Sequence, residues 1–355
     1  MPIVEQYHRR IVLRGARRPH DRLILFLLLP LSLAYGAISW IRGKGYDLGL
    51  LPGYRAPVKV ISVGNISVGG TGKTPVVDWL VKCLLEQGQR PAIVSRGYGG
   101  SFAGEVGIVS AGRGLQLSPA EAGDEPCLLA RRNPSVPVLI AKKRAAGVRR
   151  AVEEFAASPV ILDDGFQHRA VRRDVDLVLV DGKHPLGNGL PLPAGLLREF
   201  PAALSRADLL LVTRATGTSA SLPVDRPTWK SCHRLADYAV DFQGGQVSLA
   251  ELAGKRLLAF AGIADPDNFF AGLEDVGVAI EKKFVLGDHE RYDVSTLQKI
   301  NTAANGLDAL LTTEKDGVKL AANMFSIPCL QVPMDISIEN EVEFKAELFR
   351  QLWRN

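Results

Sequence analysis

The residues best suited to chemistry stand at Ser67-Val68-Gly69-Gly70-Thr71-Gly72-Lys73-Thr74, shortly after the apolar run Val58–Val63. A strand that ends in a glycine loop and resumes as a helix cradles phosphate. Glycines let successive backbone N–H groups turn toward one anion, and the helix N-terminus adds its dipole. Lys73 is spaced to reach β- and γ-phosphates, and the Thr74 hydroxyl to hold Mg2+. The match to G-x-x-x-x-G-K-[ST] is incomplete, with Ser67 where the first glycine belongs. The bland alternative is a glycine-rich turn with a chance Gly-Lys-Thr. The order strand, loop, helix argues against it.

Val160-Ile161-Leu162-Asp163-Asp164-Gly165 reads as a short buried strand ending in two carboxylates. Beside a phosphate loop, such a pair holds Mg2+ directly or through water; alone it would equally suit a strand-ending turn. Asp124, in Gly123-Asp124-Glu125-Pro126, opens a helical pattern. There it serves as a helix cap or as a base that takes a proton from an attacking hydroxyl. From the residues alone the cap is the simpler reading. Asp288-His289 lies far along the chain, and an isolated histidine is ordinarily a surface or packed residue. Arg96 and Tyr98 sit on the glycine loop Ser95–Gly100, His168 follows the Asp163–Asp164 pair, and Arg198 and Glu199 follow a Pro/Gly-rich stretch at 190–195. Thr313-Glu314-Lys315-Asp316 ends a strand-like run with the spacing of a capping box.

Positioning these groups requires alternating strands and helices. Apolar runs recur at 58–63, 91–95, 136–141, 159–162, 175–180 and 207–212, with helical patterns between them, including 121–132 and 143–156. After the loop, Val76, Val77, Leu80, Val81, Leu84 and Leu85 form one apolar stripe, with Pro75 in the first turn and Gly88 at the end. This is the pattern of an α/β protein with a largely parallel sheet, whose ligands sit beyond the carboxyl ends of strands. Residues 216–226 are rich in Ser, Thr, Gly and Pro and read as a boundary. Three units are expected: a basic and apolar N-terminal segment at 1–45, a phosphate-loop domain at 46–220, and a smaller α/β domain at 221–355. The last helix is expected to carry Phe344, Leu348, Phe349, Leu352 and Trp353 on one face.

Hydrophobic residues make up 46% of the 355 and charged residues 23%, ordinary for a globular chain, with a net charge of +5. A mildly basic balance suits an anionic partner, but the chain lacks interleaved basic and aromatic residues, which argues against nucleic acid. The four cysteines have no C-x-x-C spacing, which argues against a zinc site or disulfide framework and suits a reducing compartment. Leu23–Ile41 is an uncharged apolar run whose length suits a single span. A secretory signal would export the phosphate loop away from ATP. A span with a cytosolic catalytic domain would place Arg9, Arg10, Arg14, Arg17, Arg18 and Arg22 outside, against the positive-inside rule. The favoured expectation is a helix, broken near Pro30, lying in the inner face of the bilayer with flanking arginines on anionic headgroups, with a buried core helix as the remaining alternative.

Taken together, these motifs resemble the tetraacyldisaccharide 4′-kinase family, the lipid A kinases of Gram-negative bacteria. The matching segments are 63–75, 95–100, 123–126, 163–168, 192–195, 197–199, 260–263, 288–289 and 312–316. The family's loop commonly lacks the leading glycine, so Ser67 is no departure. The resemblance implies a membrane-associated enzyme of two α/β domains at the cytoplasmic face of the inner membrane, with its active site in the cleft between them. It implies ATP and Mg2+ as cofactors and an acylated glucosamine disaccharide 1-phosphate as acceptor, giving lipid IV-A. It implies no nucleic acid and no obligate protein partner. By motif, Asp124 resembles the catalytic base and His289 its dyad partner from the other domain. Lys73 resembles the phosphate lysine, and Asp163 and Asp164 the acidic pair near Mg2+. Arg198 and Glu199 match further active-site positions, and Arg96, Tyr98 and His168 are placed near substrate or phosphates. Two alternatives remain at this level: another membrane-associated phosphate-loop transferase or ligase, and a nucleotide-dependent membrane switch. A guanine-reading switch would need Asn-Lys-x-Asp, which Glu314-Lys315-Asp316 does not supply.

Overall fold

The computed structural model describes residues 3–16, 18–215, 222–288 and 290–354. Strands β1 to β8 run Val60–Asn65, Ala92–Ser95, Val106–Ala111, Pro137–Ala141, Val160–Asp163, Val175–Asp181, Leu209–Thr213 and Thr228–Leu235. Strands β9 to β15 run Tyr238–Val240, Gln246–Ser248, Leu257–Ala261, Ile280–Val285, Ala309–Thr313, Cys329–Val332 and Met334–Ile338. Among the described residues they form a nine-stranded sheet, β15-β8-β7-β6-β1-β5-β2-β4-β3, and a six-stranded sheet, β10-β9-β14-β13-β11-β12. The large sheet is parallel from β8 to β4, with antiparallel β15 and β3 at its edges. Its central strands are buried along their length, as a parallel sheet covered on both faces requires.

The sheet order explains where chemistry gathers. β1 lies between β5 and β6; the chain from β1 passes to β2 on one side and the chain from β5 to β6 on the other, which opens a crevice at the carboxyl ends of these strands. Val63 of β1 is in register with Asp163 of β5, which sets the carboxylate beside the start of the phosphate loop. The helix Lys73–Glu86 restarts the chain there and buries Val76, Val77, Leu80, Val81 and Leu84 against the sheet.

The expected boundary at 220/221 lies outside the described residues. β8 and β15 pair with the large sheet, and the helix Glu341–Leu352 packs Phe344, Leu348 and Leu352 into its core. Trp79 joins this contact, with its ring centroid 5.2 Å from that of Phe344 and its Nε1 donating to Glu341. Of the five residues expected on one face, Trp353 instead ends exposed, past the last turn. The chain thus leaves the large sheet after β8, builds the small one, and returns through β15.

At the N-terminus, helix Ile3–Arg14 precedes a long helix, Pro19–Asp47. The long helix runs unbroken through Pro30, contrary to the expected break. One forfeited i→i−4 bond is outweighed by cooperative bonds in the leucine-rich flanks. Phe26, Leu27, Leu31, Ile38, Trp40 and Ile41 are exposed, and 11% of its most apolar stretch is buried. A narrow face of small residues meets the protein. Ser32 Oγ donates to the Pro191 carbonyl at 2.6 Å, Gly36 lies against the Phe200 ring, and Arg169 donates to the Gly43 carbonyl at 2.8 Å.

Candidate active site

The phosphate loop is set by two constraints. Gly72 caps the following helix with φ of +74°, a left-handed conformation that disfavours side chains. The His233 ring of β8 also presses on it: a Cβ on Gly72 would meet Cε1 at 2.1 Å. Thr71 is pinned from both sides, its hydroxyl accepting from Asn65 Nδ2 at 2.9 Å and its carbonyl from Thr213 Oγ1 at 2.8 Å. The loop's outer half runs beside segment 190–198, where Val68 N donates to the Leu196 carbonyl and Arg198 N to the Ile66 carbonyl.

Lys73 Nζ stands 3.4 Å from Asp164, and Arg198 donates to the same carboxylate at 2.8 Å. Burial opposes ionisation of Asp164, but Lys73 and Arg198 outweigh it and hold the carboxyl below its ordinary range. Asp163 is different. Burial, aided by the charge of Glu125, pushes it up to about 6, against the hydrogen bond donated by Ser95 Oγ at 2.7 Å. A buried carboxylate held at such a cost is one that a divalent cation would relieve. Thr74 lines the same cleft. Among the described residues no three His, Cys, Asp or Glu side chains converge. That suits Mg2+, which takes one or two carboxylates and fills its shell with water and phosphate oxygens. Thr74, Asp163 and Asp164 fit that ion.

Asp124 begins the helix Asp124–Arg132. The Ser95–Gly100 loop abuts this turn closely. Gly123 has φ of +92°, and a Cβ there would lie 2.5 Å from the Tyr98 carbonyl. Asp124 faces Lys319 Nζ at 3.3 Å, which also lies 3.7 Å from buried Asp316. Thr313 caps its short helix by accepting from Asp316 N, the first half of the expected capping box, while the Asp316 carboxylate accepts from Thr313 Oγ1 and Gly262 N instead. The far end of the Asp124 helix is tied to the same segment: Arg131 donates to the carbonyls of Gly317 and Val318, each at 3.0 Å. Arg132 pairs with Glu314 and, at 2.9 Å, with Asp78 of the phosphate-loop helix. One helix is thereby braced between both sheets.

These groups open on one cleft of about 960 Å³, at the upper end of the ~300–1,000 Å³ typical of ligand pockets. Val68 to Thr74, Arg96, Tyr98, Asp124, Asp163, Asp164 and Arg198 line it, as do Asp288 and Thr313–Lys315 from the small sheet. Ser67 lies behind, in a small recess under the loop. Two more expected residues are not in the lining. Glu199 is buried and bonded through both oxygens to Arg206, at 2.8 and 2.9 Å. Arg198 lines the cleft, while the pair with Arg206 holds Glu199 away from it. His168 is half-buried, and burial together with Arg144 and Arg42 lowers it to about 4, which leaves it neutral at pH 7. His289 lies outside the described residues.

A family model described as LpxK, tetraacyldisaccharide-1-P 4′-kinase, matches residues 24–352. This chain belongs to that family. It is 48% identical over 329 residues to the tetraacyldisaccharide 4′-kinase of Syntrophotalea carbinolica, covering 92% of each chain. It is 45% identical over 303 residues to that of Geobacter metallireducens, covering 84% of this chain and 90% of the relative. Its fold is similar to a crystal structure of LpxK from Aquifex aeolicus in complex with ATP, with a TM-score of 0.81, 33% identity, and coverage of 93% of this chain and all of that one.

Within an LpxK fold, sequence reasoning missed the residues that act between elements: His233, Arg132 and Lys319. The Thr313–Asp316 capping signal marked the segment that carries Lys319, but nothing local marked the lysine as facing Asp124.

Proposed function

We propose that this chain carries the family's activity, transfer of the ATP γ-phosphate to the 4′-hydroxyl of a tetraacylated glucosamine disaccharide 1-phosphate. The observation that favours it is the composition of one cleft. The phosphate loop forms one wall, and Tyr35, Ser39 and Arg42 of the long apolar helix contribute to another. A nucleotide site and a lipid-facing helix therefore share one opening.

Phosphoryl transfer depends on positioning and charge neutralisation more than on covalent chemistry. In this reading Lys73 and the backbone of 68–72 hold the β- and γ-phosphates. Thr74, Asp163 and Asp164 would hold Mg2+, which when bound would offset the charge of the phosphates. Asp124 accepts the proton of the acceptor hydroxyl, oriented by Lys319 and with His289 as its partner. Arg96 and Tyr98 lie on the glycine loop beside Asp124 and face the acceptor. The small sheet, carrying Asp288 and Thr313–Lys315, closes on the large one when both substrates are present. Incubation with ATP, Mg2+ and the disaccharide 1-monophosphate is expected to add one phosphate, read by mass spectrometry. An unchanged acceptor mass with folded enzyme would refute the activity.

The same reading places the enzyme on the cytoplasmic membrane face as a monotopic protein, its apolar helix against acyl chains and its arginines against anionic headgroups. Ser32, Gly36 and Gly43 touch the folded body along the helix. A span would carry that polar body into hydrocarbon, at prohibitive cost. In inverted vesicles, an N-terminal tag is expected to be digested by added protease. Protection of the tag in the lumen would instead establish a span.

A further inference from the structure

The helix Ile3–Arg14 lies upstream of the residues matched by the family model, which begin at 24. It is nonetheless firmly docked. Ile11 and Val12 are buried, and His8 Nε2 donates to the Pro193 carbonyl at 2.6 Å. Tyr7 donates to Asp21, tying this helix to the base of the long apolar helix. His8, Ile11 and Val12 thus form an i, i+3, i+4 face against the protein, and Arg9 borders that face at the phosphate loop. Arg9 lines the cleft together with Val68–Thr74. Its Nη2 lies 3.8 Å from where a Cβ on Gly69 would stand. Neighbouring cations are already engaged: Arg10 with Asp21, Arg214 with Asp181, and Arg198 with Asp164. Among the described residues, no carboxylate lies within ion-pair distance of Arg9.

An unpaired guanidinium over the outer half of a phosphate loop, facing into the cleft, is placed for one kind of ligand. We infer that Arg9 binds the terminal phosphate of the nucleotide, as an arginine supplied in cis by the N-terminal helix. Its fork of N–H donors matches phosphate oxygens, and charge on those oxygens is what the transfer step must stabilise. Because its helix is tied to the membrane-facing one, seating of the apolar helix and completion of the phosphate site are mechanically linked. This inference rests on the kinase reading above. The shared chemistry, a phosphate dianion, also occurs at the 1-position of the acceptor, so the test separates the two.

The full-length protein is titrated calorimetrically with a non-hydrolysable ATP analogue and with ADP, each with Mg2+. Arg9→Ala is expected to weaken the analogue about tenfold, as loss of one charge-assisted bidentate contact should, and ADP less than twofold. Its kcat at saturating substrates is expected to fall by about 10²-fold or more. Arg10→Ala, which removes a cation engaged elsewhere, is expected to change neither. Arg9→Gln, which keeps the stem, is read in the same way if the alanine variant does not fold. Equal weakening of analogue and ADP, or unchanged affinity and kcat, would overturn the inference. A rise confined to the KM of the lipid acceptor would also overturn it and assign Arg9 to the 1-phosphate. Failure of the wild-type protein to bind either nucleotide would instead defeat the kinase reading itself.

Discussion

Lys73→Met is expected to lower kcat for 4′-phosphorylation by about 10²–10³, the usual cost of removing one preorganised charge from the transition state. Lys73 sits at the first turn of its helix with its ammonium 3.4 Å from Asp164, its side chain 12% exposed. There the ammonium stands beside both the loop and the Asp163–Asp164 pair. Methionine keeps the stem's packing and removes only the charge. Asp164 retains Arg198 at 2.8 Å, so the carboxylate is not left buried without a partner and the melting temperature should move little. Steady-state kinetics paired with a thermal melt check both halves. A kcat within tenfold of wild type, with the fold intact, would remove Lys73 from the phosphate site.

Asp124→Asn is expected to reduce kcat by about 10²–10⁴, the range for a lost general base, while affinity for an ATP analogue stays within about twofold. The substitution preserves size and the helix start but removes the carboxylate proposed to accept the proton. Lys319, 3.3 Å from Asp124, keeps Asp316 at 3.7 Å, so the brace to the small sheet survives. The separation of turnover from nucleotide binding is the decisive readout. Near-normal turnover in this variant would reduce Asp124 to a helix-terminal residue, the simpler reading its sequence context allowed.

The two predictions draw on different kinds of information. Lys73 was legible because a phosphate loop is local: strand, glycine turn and helix follow one another, and backbone geometry within eight residues does the positioning. The Asp163–Asp164 pair was legible for the same reason, as a buried run ending in charge. Asp124 was ambiguous, since an aspartate at a helix start satisfies the dipole whether or not it meets a substrate. Its case rests on contacts from Lys319, almost two hundred residues away, and from the Tyr98 loop.

Some expectations failed for reasons of long-range packing. Nothing in residues 228–235 or 334–338 distinguishes strands of the small sheet from edge strands of the large one. The choice follows from helix 341–352 covering Trp79. Glu199 carries the same motif as Arg198, yet the pair with Arg206 holds it away from the cleft. Pro30 signals a break, but the surrounding leucine-rich helix carries through it.

By itself, the sequence determined the α/β class, the phosphate loop, the acidic strand end and the apolar N-terminal segment, because each is written in contiguous residues. Tertiary structure alone decided which groups share the cleft. It set Lys319 against Asp124, His233 against Gly72 and Arg9 against Gly69, and it turned Glu199 away. Those pairings join residues far apart in the chain, and their distances are set by how the sheets and helices pack.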